Sequence, residues 1–127
     1  MSAVVERAKV FDLEEAMKRE FPLIDVPVTH YFSHGVYGRR MDIKKGTVLT
    51  GKIHKFSQLN ILMSGDVSVL TEGGVMRVQP PFAFVADAGA KRAFWAHEDS
   101  SWIVVHGTYE TDLDKIEEEF IAQTEAE

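Results

Sequence analysis

Between Pro27 and Thr108 the chain is a succession of short runs rich in Val, Ile, Phe and Tyr, cut by Gly46, Gly51, Gly65, Gly73, Gly74, Pro80, Pro81, Gly89 and Gly107. Turn signals about every 8 to 15 residues leave no length for helices across this stretch. Runs this short bury their apolar side chains as strands of a sandwich or barrel. The expected strands are 30–32, 35–43, 49–54, 59–63, 66–71, 75–79, 82–86, 91–97 and 102–106. Glu72, Gly73 and Gly74 read as a tight hairpin turn between two of them.

Both ends read differently. Asp12 stands three residues before Glu15, a helix-start pattern, and Leu13, Met17 and Phe21 follow at fourfold spacing before Pro22. A short covering helix is expected there. Thr111 begins a second helix-start pattern, and Leu113, Ile116 and Phe120 then form an apolar stripe at helical spacing. The expected organisation is an N-terminal extension (1–27), a β-barrel (28–109) and an acidic C-terminal helix and tail (110–127).

A chain of 127 residues suits one domain, burying roughly two-thirds of its unfolded surface. It has no cysteine, so thiolate chemistry, Cys-based zinc sites and disulfides are excluded, and a reducing cytoplasm is the expected setting. No secretory signal and no run of 18 apolar residues is visible. The net charge of −6 argues against nucleic-acid polymers and anionic membranes as partners. That charge is unevenly distributed. Residues 110–127 carry eight acidic side chains and one basic, which is −7, leaving +1 for residues 1–109.

The stretch from Gly46 to Gly65 is the most informative. After Gly46 come five residues, Lys52-Ile53-His54, three residues, Gln58, six residues and Gly65. This spacing resembles the first motif of the cupin superfamily, Gly, five residues, His-x-His, three or four residues, Glu, six residues, Gly. The second motif is matched in spacing by Pro81, Asp87-Ala88-Gly89, Arg92 and Ala96, with Gly89 alone keeping the family's residue type. The resemblance covers residues 28–109. It implies an all-β fold, a single-domain jelly-roll barrel (double-stranded β-helix), and strand exchange into homodimers. The pattern is also similar to small cupin-like proteins encoded by tailed bacteriophages, which implies a host cytoplasm as location and sequestration of a host nucleotide signal as one role.

The departures from the motif carry the functional reading. The resemblance places the family's four metal ligands at Lys52, His54, Gln58 and Arg92. His54 alone remains a good ligand. A unit charge about 4 Å from another is worth roughly 4 kcal/mol at an effective dielectric of 20, and a dication doubles that repulsion. Arg92 cannot escape by deprotonating. No metal or other cofactor is therefore expected; any metal would depend on His54. An ammonium, a guanidinium, an imidazole and an amide instead suit an anion. Tyr37, Arg39 and Met41 share a strand face, Asn60 follows Gln58 on its face, and Phe94 follows Arg92. The expected ligand-binding set is Lys52, His54, Gln58, Arg92, Arg39, Tyr37, Asn60 and Phe94, with His106 lining the pocket or bonded in the core.

The other histidines read as structural. His30 and His34 have ligand spacing only on a helix, which the β texture contradicts, and His97 is directed away from Arg92. Ser57, Ser64 and Ser68 lie in no nucleophile elbow, and no catalytic residue is assigned. The function expected is non-catalytic binding of a small anionic molecule. The alternatives are a cupin isomerase, epimerase or dioxygenase, with metal or with His54 and Tyr37 as base and acid, and a scaffold that docks a protein through the acidic helix.

Overall fold

The computed structural model describes residues 26–71 and 74–122. Along them run β1 (Val28–Ser33), β2 (Val36–Ile43), β3 (Val48–Thr50), β4 (Gln58–Ser64), β5 (Val67–Thr71), β6 (Gly74–Val78), β7 (Phe82–Ala86), β8 (Ala93–Ala96), β9 (Ser100–Gly107) and a helix, α1 (Leu113–Phe120). The strands form a five-stranded sheet of order β1-β2-β9-β4-β7 and a four-stranded sheet of order β3-β8-β5-β6. Every pairing is antiparallel. Each expected strand has a counterpart. The helix expected from Asp12 lies outside the described residues.

Strand alternation sorts the side chains. On β4, Gln58, Asn60 and Leu62 are buried while Leu59 and Met63 are exposed. The two inner faces meet in a core of Met41, Ile43, Leu62, Val67, Val69, Val78, Phe94, Ala96, Trp102 and Val104. Trp102 is fully buried at its centre. Phe84 and Phe94 meet it edge-on, with centroids 5.9 and 5.1 Å away. Its indole N–H cannot be left unpaired at that depth, and it donates to Asn60 Oδ1 over 2.8 Å.

The expected strand 49–54 is cut short at Thr50. Beyond it the backbone leaves β8 and joins the tail that follows α1. Lys55 N donates to Phe120 O (2.7 Å), Ala122 N to Ile53 O (2.9 Å), and His54 bridges Ile121. The expected strand 91–97 shortens to Ala93–Ala96. Residues 89–92 still follow the first-motif segment, with Gly51 N donating to Arg92 O and Gly89 N to His54 O, each over 2.9 Å.

Helix α1 starts one residue later than the Thr111 pattern predicts, because Asp112 is its cap: Oδ1 accepts from Asp114 N and Lys115 N. Ile116 and Phe120 are buried and cluster with Tyr37, whereas Leu113 stays exposed. The acidic segment is therefore only partly a solvated face, since its apolar stripe covers one end of the barrel.

Gly65, immediately after β4, has φ +102°, and a Cβ there would lie 2.0 Å from Ser100 Oγ. That hydroxyl is already fixed, donating to Glu98 O and accepting from Asp66 N. Gly65→Ala combines a disfavoured backbone with a clash and is expected to cost about 2–4 kcal/mol of folding stability. Urea denaturation measures it, and a loss below 1 kcal/mol on the order of experimental error would contradict the packing described.

Candidate functional site

The sandwich is dry around Trp102 and hollow toward α1. A cavity of about 390 Å³ opens there, floored by core residues such as Met41, Trp102 and Val104 and walled on one side by Ile116, Glu117 and Phe120 of the helix. Cross-strand register explains what lines it. Tyr37 pairs with His106, Arg39 with Val104 and Met41 with Trp102 across β2 and β9, so the inward face of β2 and that of β9 are shared. Lys52 and His54 come from the segment after β3, Gln58 and Asn60 from β4, Arg92 from the turn before β8, and Phe94 from β8 itself. All nine residues of the expected set line this one cavity.

Their roles within it differ. Asn60 is engaged in structure, its Oδ1 held by Trp102 and its Nδ2 reaching Gln58 O over 3.4 Å. Phe94 belongs to the core as much as to the cavity wall. His106 takes the first of the two places expected of it: it is buried, lines the cavity, and stacks on Tyr37 (6.2 Å) and His54 (5.2 Å), with Phe120 at 4.4 Å. Both members of the alternative base–acid pair, His54 and Tyr37, stack on His106. The Tyr37 hydroxyl pairs with His30 Nδ1 over 2.7 Å. His97 is bonded to Ser68 Oγ over 2.7 Å, apart from the cavity.

Two titratable lining residues escaped sequence reasoning. His30 is one; its inward direction follows from its register opposite Arg39. Glu117 is the other. It pairs with Lys52. Asp42 holds Arg40 (3.1 Å), and Glu98 approaches Lys45.

The electrostatics favour negative charge. Arg39, Lys52 and Arg92 line the cavity against one carboxylate, Glu117. Burial, then His106, then the charges of Arg92, Arg39 and Lys52, pull the His54 imidazole down to about 4. Burial and Arg39 bring His106 down to about 4 as well. Burial also raises the Tyr37 hydroxyl above its usual value, which Arg39 opposes and Glu117 reinforces. The His54 and His106 imidazoles are therefore neutral at pH 7, and Tyr37 keeps its proton. Among the described residues, His54 Nδ1 and Gln58 Oε1 are buried without a hydrogen-bond partner.

The fold implies a metal, and the residues do not fit one. Burial is the main reason His54 stays unprotonated, and the charges of Arg92, Arg39 and Lys52 that add to it would also repel a dication there. Among the described residues no three His, Asp or Glu side chains gather as a ligand set. Nor is any described helix long and apolar enough to cross a membrane.

Two antiparallel sheets closed around a hollow end, with a C-terminal helix across it, are the jelly-roll barrel of the cupin and RmlC-like proteins. Among solved structures the chain is similar to KdgF from Halomonas sp., with a TM-score of 0.58 and 20% identity over 75% of this chain and 93% of that one. It is also similar to an RmlC-like cupin from Shewanella frigidimarina NCIMB 400 (TM-score 0.57, 14% identity, 69% and 80% of the two chains). A third likeness is to the cupin_2 domain of an XRE family transcriptional regulator from Enterobacter cloacae (TM-score 0.56, 10% identity, 67% and 98%). No family model matches the sequence, and no curated protein does. At these identities the likeness establishes the fold.

The two depressed imidazoles set a pH dependence. An unfolded histidine titrates near 6.5, so between there and pH 4 the unfolded chain takes up protons that His54 and His106 refuse. Their contribution to stability is complete above about pH 6.5 and is lost as pH falls toward 4, on the order of 3 kcal/mol for the buried His106. Histidine ring NMR should place both titrations near pH 4, and midpoints close to 6.5 would show that the cavity is wetter and less positive than described.

Proposed function

We propose that this cupin-fold protein binds a small anionic ligand, a nucleotide or a phosphorylated metabolite, inside the barrel and holds it without turnover. The observation that carries the reading is the charge of the cavity: three cations against one carboxylate, around imidazoles kept neutral. An anionic group brought into the cavity would be attracted by this excess of positive charge. Arg39 and Arg92 can hold a phosphate or carboxylate as forks, and Lys52 as a point charge. The volume of about 390 Å³ lies within the usual range for small-molecule sites. The resemblance to phage-encoded cupin-like proteins makes a host nucleotide signal the first ligand to try.

Titration calorimetry against nucleoside mono- and diphosphates and sugar phosphates tests this. At least one should bind the wild-type protein, and Arg39→Ala or Arg92→Ala should weaken it about tenfold or more, as loss of a charge-assisted hydrogen bond requires. Heat from none of these ligands would sink the reading.

We also propose that two copies pair through the outward face of the five-stranded sheet. A sheet with one face in water alternates apolar and polar residues, yet this one presents Tyr31, Leu59, Ile61, Met63, Val85 and Ile103 outward. The charges bordering it, Arg40 and Asp42, neutralise each other. A chain of net charge −6 can therefore meet its copy there without opposing like charges. Light scattering should find a dimer in the wild type and a monomer in Val85→Lys, a position 66% exposed and so tolerant of lysine. A monomeric wild type would end the proposal.

A further inference from the structure

Among the described residues Glu117 is the one carboxylate that lines the cavity, and it reaches the ammonium of Lys52, a residue placed where an anion would be held. The remaining acidic side chains of α1 behave differently: Asp114 and Glu118 are exposed, and Glu119 is exposed with Oε2 near Thr108 Oγ1. Building on the anion-binding reading above, we infer that Glu117 is a built-in occupant of the anion site, its carboxylate holding Lys52 until a ligand's anionic group takes the ammonium over. The step is an exchange of ionic partners, with no bond made or broken covalently.

Three features support exchange by this one side chain. First, the pair is at the rim: the side chains of Lys52 and Glu117 are 59% and 44% exposed, so water screens the pair and it is cheap to open. Second, the helix backbone is fastened independently of it. Phe120 O and Ile53 O accept backbone bonds across the seam, Lys55 Nζ reaches Glu118 O over 3.1 Å, and Ile116 and Phe120 are buried. Glu117 can swing outward while α1 stays in place. Third, Arg39 and Arg92 approach the cavity from β2 and from the opposite sheet, so a ligand seated on them can extend a further charge toward Lys52.

The consequence is selectivity by charge. A ligand with a single negative charge satisfied by the arginines gives Lys52 no new partner, and Glu117 stays. A ligand carrying a second charge compensates for the lost pair and displaces it. Glu117 thereby lowers affinity for the ligands that must displace it, since these lose the Lys52–Glu117 pair in exchange for their own contact with Lys52.

The experiment compares wild type, Glu117→Gln and Glu118→Gln with inorganic phosphate as probe, by calorimetry at fixed ionic strength, with thermal melts confirming folding. Glu117→Gln should bind phosphate about threefold to tenfold more tightly than wild type, while Glu118→Gln, with the same change in net charge, should match wild type. The Lys52 side-chain ammonium resonance should shift when phosphate is added to wild type, reporting the exchange directly. Equal affinities in wild type and Glu117→Gln, or equal tightening in both variants, overturn the inference and leave the binding reading standing. If neither wild type nor Glu117→Gln binds phosphate or any nucleotide or sugar phosphate, the binding reading falls and takes this inference with it.

Discussion

The pairing of β9 with β2 on one side and β4 on the other is the constraint from which the site follows. One inward face of β9 carries Trp102, Val104 and His106, in order from dry core to cavity. Register then places Met41, Arg39 and Tyr37 beside them from β2. A slip of one residue would turn all of these side chains to the opposite face. The bond from Trp102 to Asn60 pins β4 across the same ladder and, through the alternation of β4, turns Gln58 inward as well. The floor of the cavity and its principal cation from the five-stranded sheet are thus products of a single ladder.

The cavity illustrates how one barrel can serve opposite charges. A ring of imidazoles and a carboxylate would hold a dication in this fold; an ammonium and a guanidinium at corresponding positions disfavour a dication there, and the proposed ligand is an anion. The protein then has to avoid surplus positive charge in a poorly solvated place. Keeping His54 and His106 neutral removes two further charges, and Glu117 offsets a third. Outside the cavity the matching is local instead, as in Arg40 with Asp42 and Arg77 with Asp66.

What was legible in the sequence was what depends on short-range pattern. Glycine spacing located Lys52, His54 and Gln58, and alternation placed Tyr37, Arg39 and Met41 on one face before any sheet order was known. What was not legible depends on which distant segments meet. Nothing around Glu117 distinguishes it from the seven other acidic residues after position 109; it becomes special because the seam between residues 53–55 and the end of α1 aims that turn of the helix at Lys52. His30 is a similar case, since its face is decided by its register against Arg39. The strand beyond Thr50 failed for the same reason: the tail after α1 competes for its backbone groups, and local propensity carries no record of that competitor.

The division of charge between a −7 terminal segment and a +1 body also acquires a physical meaning. Were the acidic segment merely solvated, its charges would be screened within roughly a Debye length of the surface and would leave the cavity untouched. The seam brings one of them to the rim, where Lys52 meets it, while Glu118 and Glu119 remain in water. An acidic patch beside a cationic pocket lowers the local concentration of anions outside it and so penalises weak, indiscriminate binding. The pocket behind it can then be strongly positive without attracting every phosphate or polyanion in solution, because only a ligand small enough to enter meets the cations directly.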